Sequence, residues 1–268
     1  MSRRLVGAAA LCMLTVVPHA KADGIITSDG VGSWTGFYVG AGVGRRWADT
    51  NWATTCFGTP CTAGGPNPAI IDSSSPRTFR TANFRKSVYG GFNWQLEEWL
   101  LGVEGDLGFG SKLQVTPGIP GCTIDCIGFP PTPDDIDSAS IKMLRDGSIR
   151  GRAGFLLDPS LLVYGTAGLA YQRVEANVTC SFAGPWCFPP VFSDILSETH
   201  STTLQGWTAG GGLEWMVHGG WMVRAEYRYS DLGDFSPTFF QGTQNDVFTN
   251  IHVITQEATF GIGYKFLN

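Results

Sequence analysis

The sequence predicts an all-β fold, an eight-stranded antiparallel up-and-down transmembrane β-barrel with four long extracellular loops and short periplasmic turns. Three observations predict it. Apolar and polar residues alternate at period two through run after run. The connections between runs go long, short, long, short, long, short, long. Apart from Pro18 and Pro159, all 13 other prolines fall in the long connections. A proline inside a membrane strand would remove a ladder hydrogen bond that lipid cannot replace.

The plainest stretch is Gly206 to Gly233. Trp207, Ala209, Gly211, Leu213 and Trp215 share one face, with Thr208, Gly210, Gly212 and Glu214 opposite. After a tight turn at Val217-His218-Gly219-Gly220, Val223, Ala225, Tyr227 and Tyr229 alternate with Arg224, Glu226 and Arg228. Two alternating runs about a Gly-Gly turn read as a β-hairpin. The polar face carries glycines and charges of both signs rather than a solvated spread of Lys, Ser and Thr. One face therefore suits an apolar solvent and the other a narrow, charge-paired interior.

Taken in order, residues 1–22 read as a signal peptide. Arg3 and Arg4 precede an apolar run from Leu5 to Val17, and Ala20-Lys21-Ala22 supplies a small-x-small cleavage site. The run is too short to span a bilayer as a helix. Cys12 lies within it, but Leu11 occupies the place where lipidation calls for a small residue. Residues 23–33 form a short lead-in, and 34–268 the barrel domain.

The first strand is Thr35 to Trp47, with Phe37, Val39, Ala41, Val43 and Trp47 against Tyr38, Gly40, Gly42, Gly44 and Arg46. Its glycines lack the spacing and the following helix of a nucleotide loop, so they read as small strand residues. A long loop, Ala48 to Asn83, leads to the second strand, Val88 to Leu96. Glu97-Glu98 then turns the chain into the third, Trp99 to Gly110. Ser111 to Ser138 is the next loop, followed by a strand ending in Ile149, Gly151, Ala153 and Phe155 against Arg150 and Arg152. A short turn from Leu156 to Ser160, with Asp158-Pro159, precedes the fifth strand, Leu161 to Val174. Loops at Glu175 to Ser201 and Asp234 to Asn250 flank the central hairpin, and Val253 to Phe266 is the last strand. Eight strands place both ends on the periplasmic side.

Removal of Arg3, Arg4 and Lys21 with the leader leaves 15 basic against 23 acidic residues, a formal charge of −8. That balance argues against nucleic acid or an anionic surface as an electrostatic partner. A lipocalin-like barrel is the soluble rival, but its polar face would be rich in long solvated side chains. Here Trp, Tyr and Phe gather near the strand ends of the apolar face, where a membrane barrel carries its aromatic girdles. The expected location is the cell outer membrane, among its lipids and lipopolysaccharide, after delivery by the outer-membrane barrel assembly machinery.

Trp34-Thr35-Gly36-Phe37-Tyr38-Val39-Gly40, Gly102-Val103-Glu104-Gly105-Asp106, Arg150-Gly151-Arg152, Gly206-Trp207-Thr208-Ala209-Gly210-Gly211-Gly212 and Glu226-Tyr227 with Asp231-Leu232-Gly233 together resemble the small porin-like outer-membrane β-barrel family of Gram-negative bacteria. The resemblance spans nearly all the mature chain. It implies an OmpA-like eight-stranded barrel, described as porin-like or as a surface antigen, with some members binding haem.

Two constellations could carry chemistry. Cys56 with Cys61, Cys122 with Cys126 and Cys180 with Cys187 form close pairs, each in a different long loop. In an exported protein three local disulfides are the favoured reading, stiffening loop tips; a metal site is the alternative, without His or carboxylate at zinc spacing. The second constellation is the inward charges Arg46, Glu104, Asp106, Arg150, Arg152, Glu214, Arg224, Glu226, Arg228 and Lys265. An eight-stranded barrel is just wide enough for side chains to fill, so these charges form either an ion-pair plug or a narrow polar path. His200 and His252 near the outer loop ends could ligate haem iron, or stand as isolated surface histidines. No motif pairs a nucleophile with a base, and no catalytic, metal or cofactor residues are assigned. The functional expectation is a structural, membrane-integrity surface protein without catalysis, with a narrow porin and a loop-borne receptor as alternatives.

Overall fold

The computed structural model describes residues 33–57, 71–122, 136–181, 195–243 and 245–266; the expected signal peptide and most of the lead-in lie outside them. Their strands are β1 (Gly36–Phe57), β2 (Arg77–Leu96), β3 (Trp99–Phe109), β4 (Lys112–Pro117), β5 (Ser138–Asp158), β6 (Leu161–Ser181), β7 (Ile195–His218), β8 (Trp221–Phe235), β9 (Thr238–Phe239) and β10 (Val247–Lys265). Eight of them pair antiparallel in the order β1-β2-β3-β5-β6-β7-β8-β10, and β10 pairs back onto β1, closing a ring. The short β4 continues the line of β3 along β5, and β9 pairs with the top of β10. Closure removes the free strand edge that lipid could not satisfy.

Each strand pair on the periplasmic side turns in two residues, within the short connections that the sequence predicts and, at the second and third of them, shorter than expected. Glu97-Glu98 joins β2 to β3, with Glu97 at φ +56°. Gly219-Gly220 joins β7 to β8 with φ of +60° and +86°, the left-handed pair that a two-residue hairpin turn needs. Between β5 and β6, Asp158 Oδ1 accepts hydrogen bonds from Ser160 Oγ and Ser160 N, each 2.6 Å. Those bonds, the hydroxyl's first, hold the Asp158 carboxyl below the usual carboxylate range.

The strands are far longer than the sequence reading allowed. β1 runs through the expected loop to Phe57, β2 starts at Arg77, β6 reaches Ser181, β7 starts at Ile195 and β10 at Val247. With 22 residues in β1, against about 9–11 needed to cross a bilayer, roughly half of each long strand stands above the membrane. The polarity inverts there. Below, apolar residues face out and polar ones in. Above, Asn51, Thr78, Arg80 and Asn250 face out, while Trp52, Phe79, Ile141, Val174, Val178, Ile251 and Val253 face in and are buried. Parity holds along β1, β6, β7 and β10, and in β5 it shifts once, at the bulge between Met143 and Asp146; otherwise only the solvent on the outer face changes. Polar outward residues with Thr, Asn and Asp read as loop when apolar-outward is the expected pattern.

The outer surface shows where the bilayer lies. Phe37, Trp94, Trp99, Trp215, Trp221 and Phe266 are exposed at the periplasmic rim, and edge-to-face pairs such as Phe37–Phe92, Trp99–Phe155 and Trp221–Tyr264 knit them together. Trp47, Phe84, Phe109 and Trp207 mark the upper rim. Between them Val39, Val43, Val88, Val103, Ile149, Leu169 and Ile262 form an exposed aliphatic belt. Val103 sits midway along β3, so Val103→Arg is expected to destabilise the barrel by about 2–4 kcal/mol, the cost of arginine at the bilayer midplane. Refolding into vesicles along a urea series measures it; a change within about 0.5 kcal/mol would place the belt elsewhere.

Inside, three layers stack along the axis. At the periplasmic end Trp34, Leu100, Leu156, Leu162, Met216 and Met222 pack beneath Tyr38, Tyr89 and Tyr164. Trp34 donates from Nε1 to the Pro159 carbonyl at 3.0 Å, tying the N-terminal residue of the barrel to a turn. Gly40 makes room for Tyr89, since a Cβ there would lie 2.3 Å from the ring. Above the middle layer stands the extracellular core, where Trp52 stacks on Phe239 at 5.7 Å and packs against Phe79 at 5.8 Å. Ile119 and Cys122, from the segment after β4, are buried in the same core. Hydrogen bonds between Asp72 N and Gly121 O and between Gly121 N and Ser74 Oγ pin that segment.

The charged barrel interior as candidate functional site

The middle layer is built from strand residues that share the inward parity. β1 contributes Arg46, β2 Arg85, β3 Glu104 and Asp106, and β5 Asp146, Arg150 and Arg152. β7 adds Glu214, β8 Arg224, Glu226 and Arg228, and β10 Glu257. Inward glycines and small residues between them leave the space that these long side chains occupy.

The charges fall into two linked groups. In the lower one Glu104 accepts from Arg150 at 2.6 Å, from Arg224 at 2.5 Å and from Tyr38 Oη at 2.7 Å. Glu214 binds Arg152 at 2.6 Å and also pairs with Arg224. Glu226 takes Arg150 at 2.7 Å and the Tyr164 hydroxyl at 2.9 Å. Arg224 lies 4.0 Å over the Tyr89 ring and Arg152 4.2 Å over Tyr164, so aromatic faces complete the cations' surroundings.

In the upper group Asp106 accepts from Arg85 at 2.5 Å, from Arg228 at 2.7 Å and from Ser148 Oγ. Asp146 pairs with Arg85 and takes Arg46 at 2.6 Å, while Glu257 pairs with Arg228 and lies 3.3 Å from Arg85. Arg46 also donates to Gln172 Oε1 at 2.7 Å and to the Gly110 carbonyl at 2.9 Å. Arg150, 3.7 Å from Asp106, joins the two groups.

Among the described residues the network holds six arginines and six carboxylates, so it is neutral. Neutrality matters physically. A lone buried ion costs several kcal/mol in such a setting, and only close pairing with further hydrogen bonds offsets that penalty. A void of about 20 Å³ remains among Arg85, Asp106, Arg150, Arg224, Glu226, Arg228 and Glu257, room for roughly one water.

Nine of the ten inward charges expected from the sequence meet in this network. Lys265 is also buried, at the periplasmic end of β10, and its backbone N–H bonds Gly220 O at 2.8 Å. Sequence reasoning missed Arg85, Asp146 and Glu257, and with them Tyr38, Tyr89 and Tyr164. The signal was present as parity: Arg85 is two steps of two from Tyr89, Asp146 from Arg150, and Glu257 from Gly261.

Cys56, Cys122 and Cys180 are disulfide-bonded and buried, Cys122 and Cys180 within the extracellular core, while Cys61, Cys126 and Cys187 lie outside the described residues. Cys56 and Cys180 are strand residues, at the tops of β1 and β6, not members of loops as the sequence reading placed them. The two candidate haem histidines do not converge. His200 has the inward parity of β7 and packs edge-on against buried Phe239 at 5.0 Å, beside Glu198 at 2.9 Å. His252 has the outward parity of β10 and faces Asp234 at 3.1 Å and Asp231 at 3.4 Å.

Residues 7–266 match the family model described as an outer membrane protein beta-barrel domain. The 31 kDa outer-membrane immunogenic protein of Brucella melitensis is 28% identical over 239 residues, covering 87% of this chain and 84% of the relative. The 22 kDa outer membrane protein of Rhizobium leguminosarum is 31% identical over 202 residues, covering 75% of this chain and 65% of the relative. Among solved structures, OprG, an outer membrane protein from Pseudomonas aeruginosa, superposes with a TM-score of 0.52 at 14% identity, over 90% of this chain and 100% of that one. At that identity the likeness concerns the fold alone.

Proposed function

This chain belongs to the outer-membrane β-barrel protein family, and on that membership we propose that it is a structural, cell-surface barrel with a closed interior and no catalytic role. The observation that supports this reading most is the neutral network of six arginines and six carboxylates, packed between an apolar periplasmic layer and an apolar extracellular core. An ion entering from outside would meet the Trp52–Phe239 core before it met the network. An ion within the network would have to displace an arginine from as many as three carboxylates at once, as at Arg85.

The relatives carry the names of outer-membrane immunogenic proteins, which fits a barrel whose upper half stands clear of the bilayer. Its partners in this reading are the lipids and lipopolysaccharide around the aliphatic belt, with the assembly machinery engaged during biogenesis.

Planar-bilayer recording tests the closed interior. Mature protein, shown folded by the difference in gel mobility between boiled and unboiled samples, is expected to give no single-channel steps. Steady steps that scale with salt concentration would make the network a pathway and the protein a narrow porin.

A further inference from the structure

The outer wall carries a groove that the closed-interior reading leaves unused. It has a volume of about 310 Å³ and is lined by Leu107 of β3, Arg145, Gly147 and Ile149 of β5, Tyr171 and Arg173 of β6, and Thr203 of β7; Asp106, Asp146 and Ser148 also border it, their side chains bonded within the interior network. Its floor is Gly147, which pairs with Leu107 on one side and Tyr171 on the other. Without a side chain there, the flanking Leu107, Ile149 and Tyr171 form walls around a depression in the aliphatic belt. The size falls at the low end of the ~300–1,000 Å³ typical of small-ligand sites.

The two arginines stand at the extracellular end of this groove. Arg145 lies in the bulge where the β5–β6 register shifts between Met143 and Asp146, and Arg173 sits opposite on β6. The bulge is held from inside. The buried Gln172 amide donates to the Arg145 carbonyl at 3.2 Å, the Arg173 carbonyl at 2.9 Å and the Leu144 carbonyl at 3.3 Å. One interior side chain thus fixes the backbone of both arginines before any ligand arrives. Among the described residues neither Arg145 nor Arg173 has an ion-pair partner. Arg145 lies four residues above Ile149 and Arg173 two above Tyr171, where the belt meets the headgroup region.

We propose that this groove binds one acylated lipid of the surrounding leaflet whose headgroup carries an anionic phosphomonoester, in preference to a zwitterionic phosphodiester lipid. An acyl chain lies over Gly147 against Leu107, Ile149 and Tyr171, and the headgroup phosphate sits between Arg145 and Arg173. Guanidinium groups match phosphate oxygens in charge and in fork geometry, and an adjoining apolar trough selects an amphiphile over a free anion. The proposal requires the barrel to sit in a bilayer; it does not depend on whether the interior conducts.

Native mass spectrometry of the folded protein, released from detergent after incubation with defined lipids, tests it. The probes are diphosphorylated hexa-acyl lipid A, the same lipid with its phosphates removed, and phosphatidylcholine. Wild-type protein is expected to retain one diphosphorylated lipid per barrel. The Arg145→Gln/Arg173→Gln variant should lose at least about tenfold of that occupancy, and so should wild-type protein offered the dephosphorylated lipid. Leu107→Trp, which keeps both arginines and fills the trough from a lipid-facing position, should lose it as well. The gel-mobility shift confirms that each variant is folded. Undiminished retention in the double arginine variant, or equal retention of phosphatidylcholine, would overturn the proposal.

Discussion

Glu104→Ala is expected to lower the stability of the folded barrel by about 3–5 kcal/mol, the cost of stripping a partner from a buried ion network. Glu104 is the acceptor for Arg150, Arg224 and Tyr38, and Arg152 lies 3.6 Å away. Its removal leaves six arginines facing five carboxylates in a space that admits roughly one water. Arg150 keeps Glu226, and Arg224 and Arg152 keep Glu214, so the network is weakened and not dissolved. Tyr38 loses its acceptor outright. Glu104→Gln retains the shape and one acceptor oxygen and should cost less than the alanine variant. A urea series following the gel-mobility shift in vesicles reads both. Equal stability of Glu104→Ala and wild type would mean that the arginines find other counter-charges and that the network is not a structural plug.

The second large effect concerns the extracellular core. Trp52→Ala should cost about 3–5 kcal/mol locally, through lost burial and the cavity left behind. Trp52 is fully buried between Phe79 and Phe239, and those three rings bridge β1, β2 and β9. The expected outcome is a divided one. The upper half should open to trypsin at Arg77 and Arg80, while the membrane half keeps its mobility shift, because the charged layer and the aliphatic belt do not depend on this core. Loss of the shift together with the protection would show instead that the barrel folds as a single unit from rim to rim.

How much of this was legible beforehand follows from where parity could be read. Within the membrane, Val39, Val43 and Val103 alternate with Tyr38, Arg46 and Glu104, and that contrast is written in neighbouring residues. Ring closure, strand number and the short turns at Glu97-Glu98 and Gly219-Gly220 follow from the same local pattern. Above the membrane the contrast reverses, since water lies outside and Trp52, Ile141 and Val253 lie inside. A reading tuned to apolar-outward strands ended β1 near Trp47 and began β2 near Val88. That truncation cost it Arg85, and with it half of the Asp106 and Asp146 pairing.

The sequence by itself determined that the chain is a membrane barrel, which residues of its recognised membrane strands face inward, and that the inward set carries both signs of charge. A period of two is a property of consecutive residues, so no distant contact is needed to see it. Only the tertiary structure decided that the charges balance six to six, that Arg46 on β1 meets Asp146 on β5, and that an apolar core closes the upper end. It also decided that His200 and His252 stand on opposite faces of the wall, and that Arg145 and Arg173 share one groove. These facts depend on ring closure and stagger, which bring residues a hundred positions apart across an interior a few side chains wide.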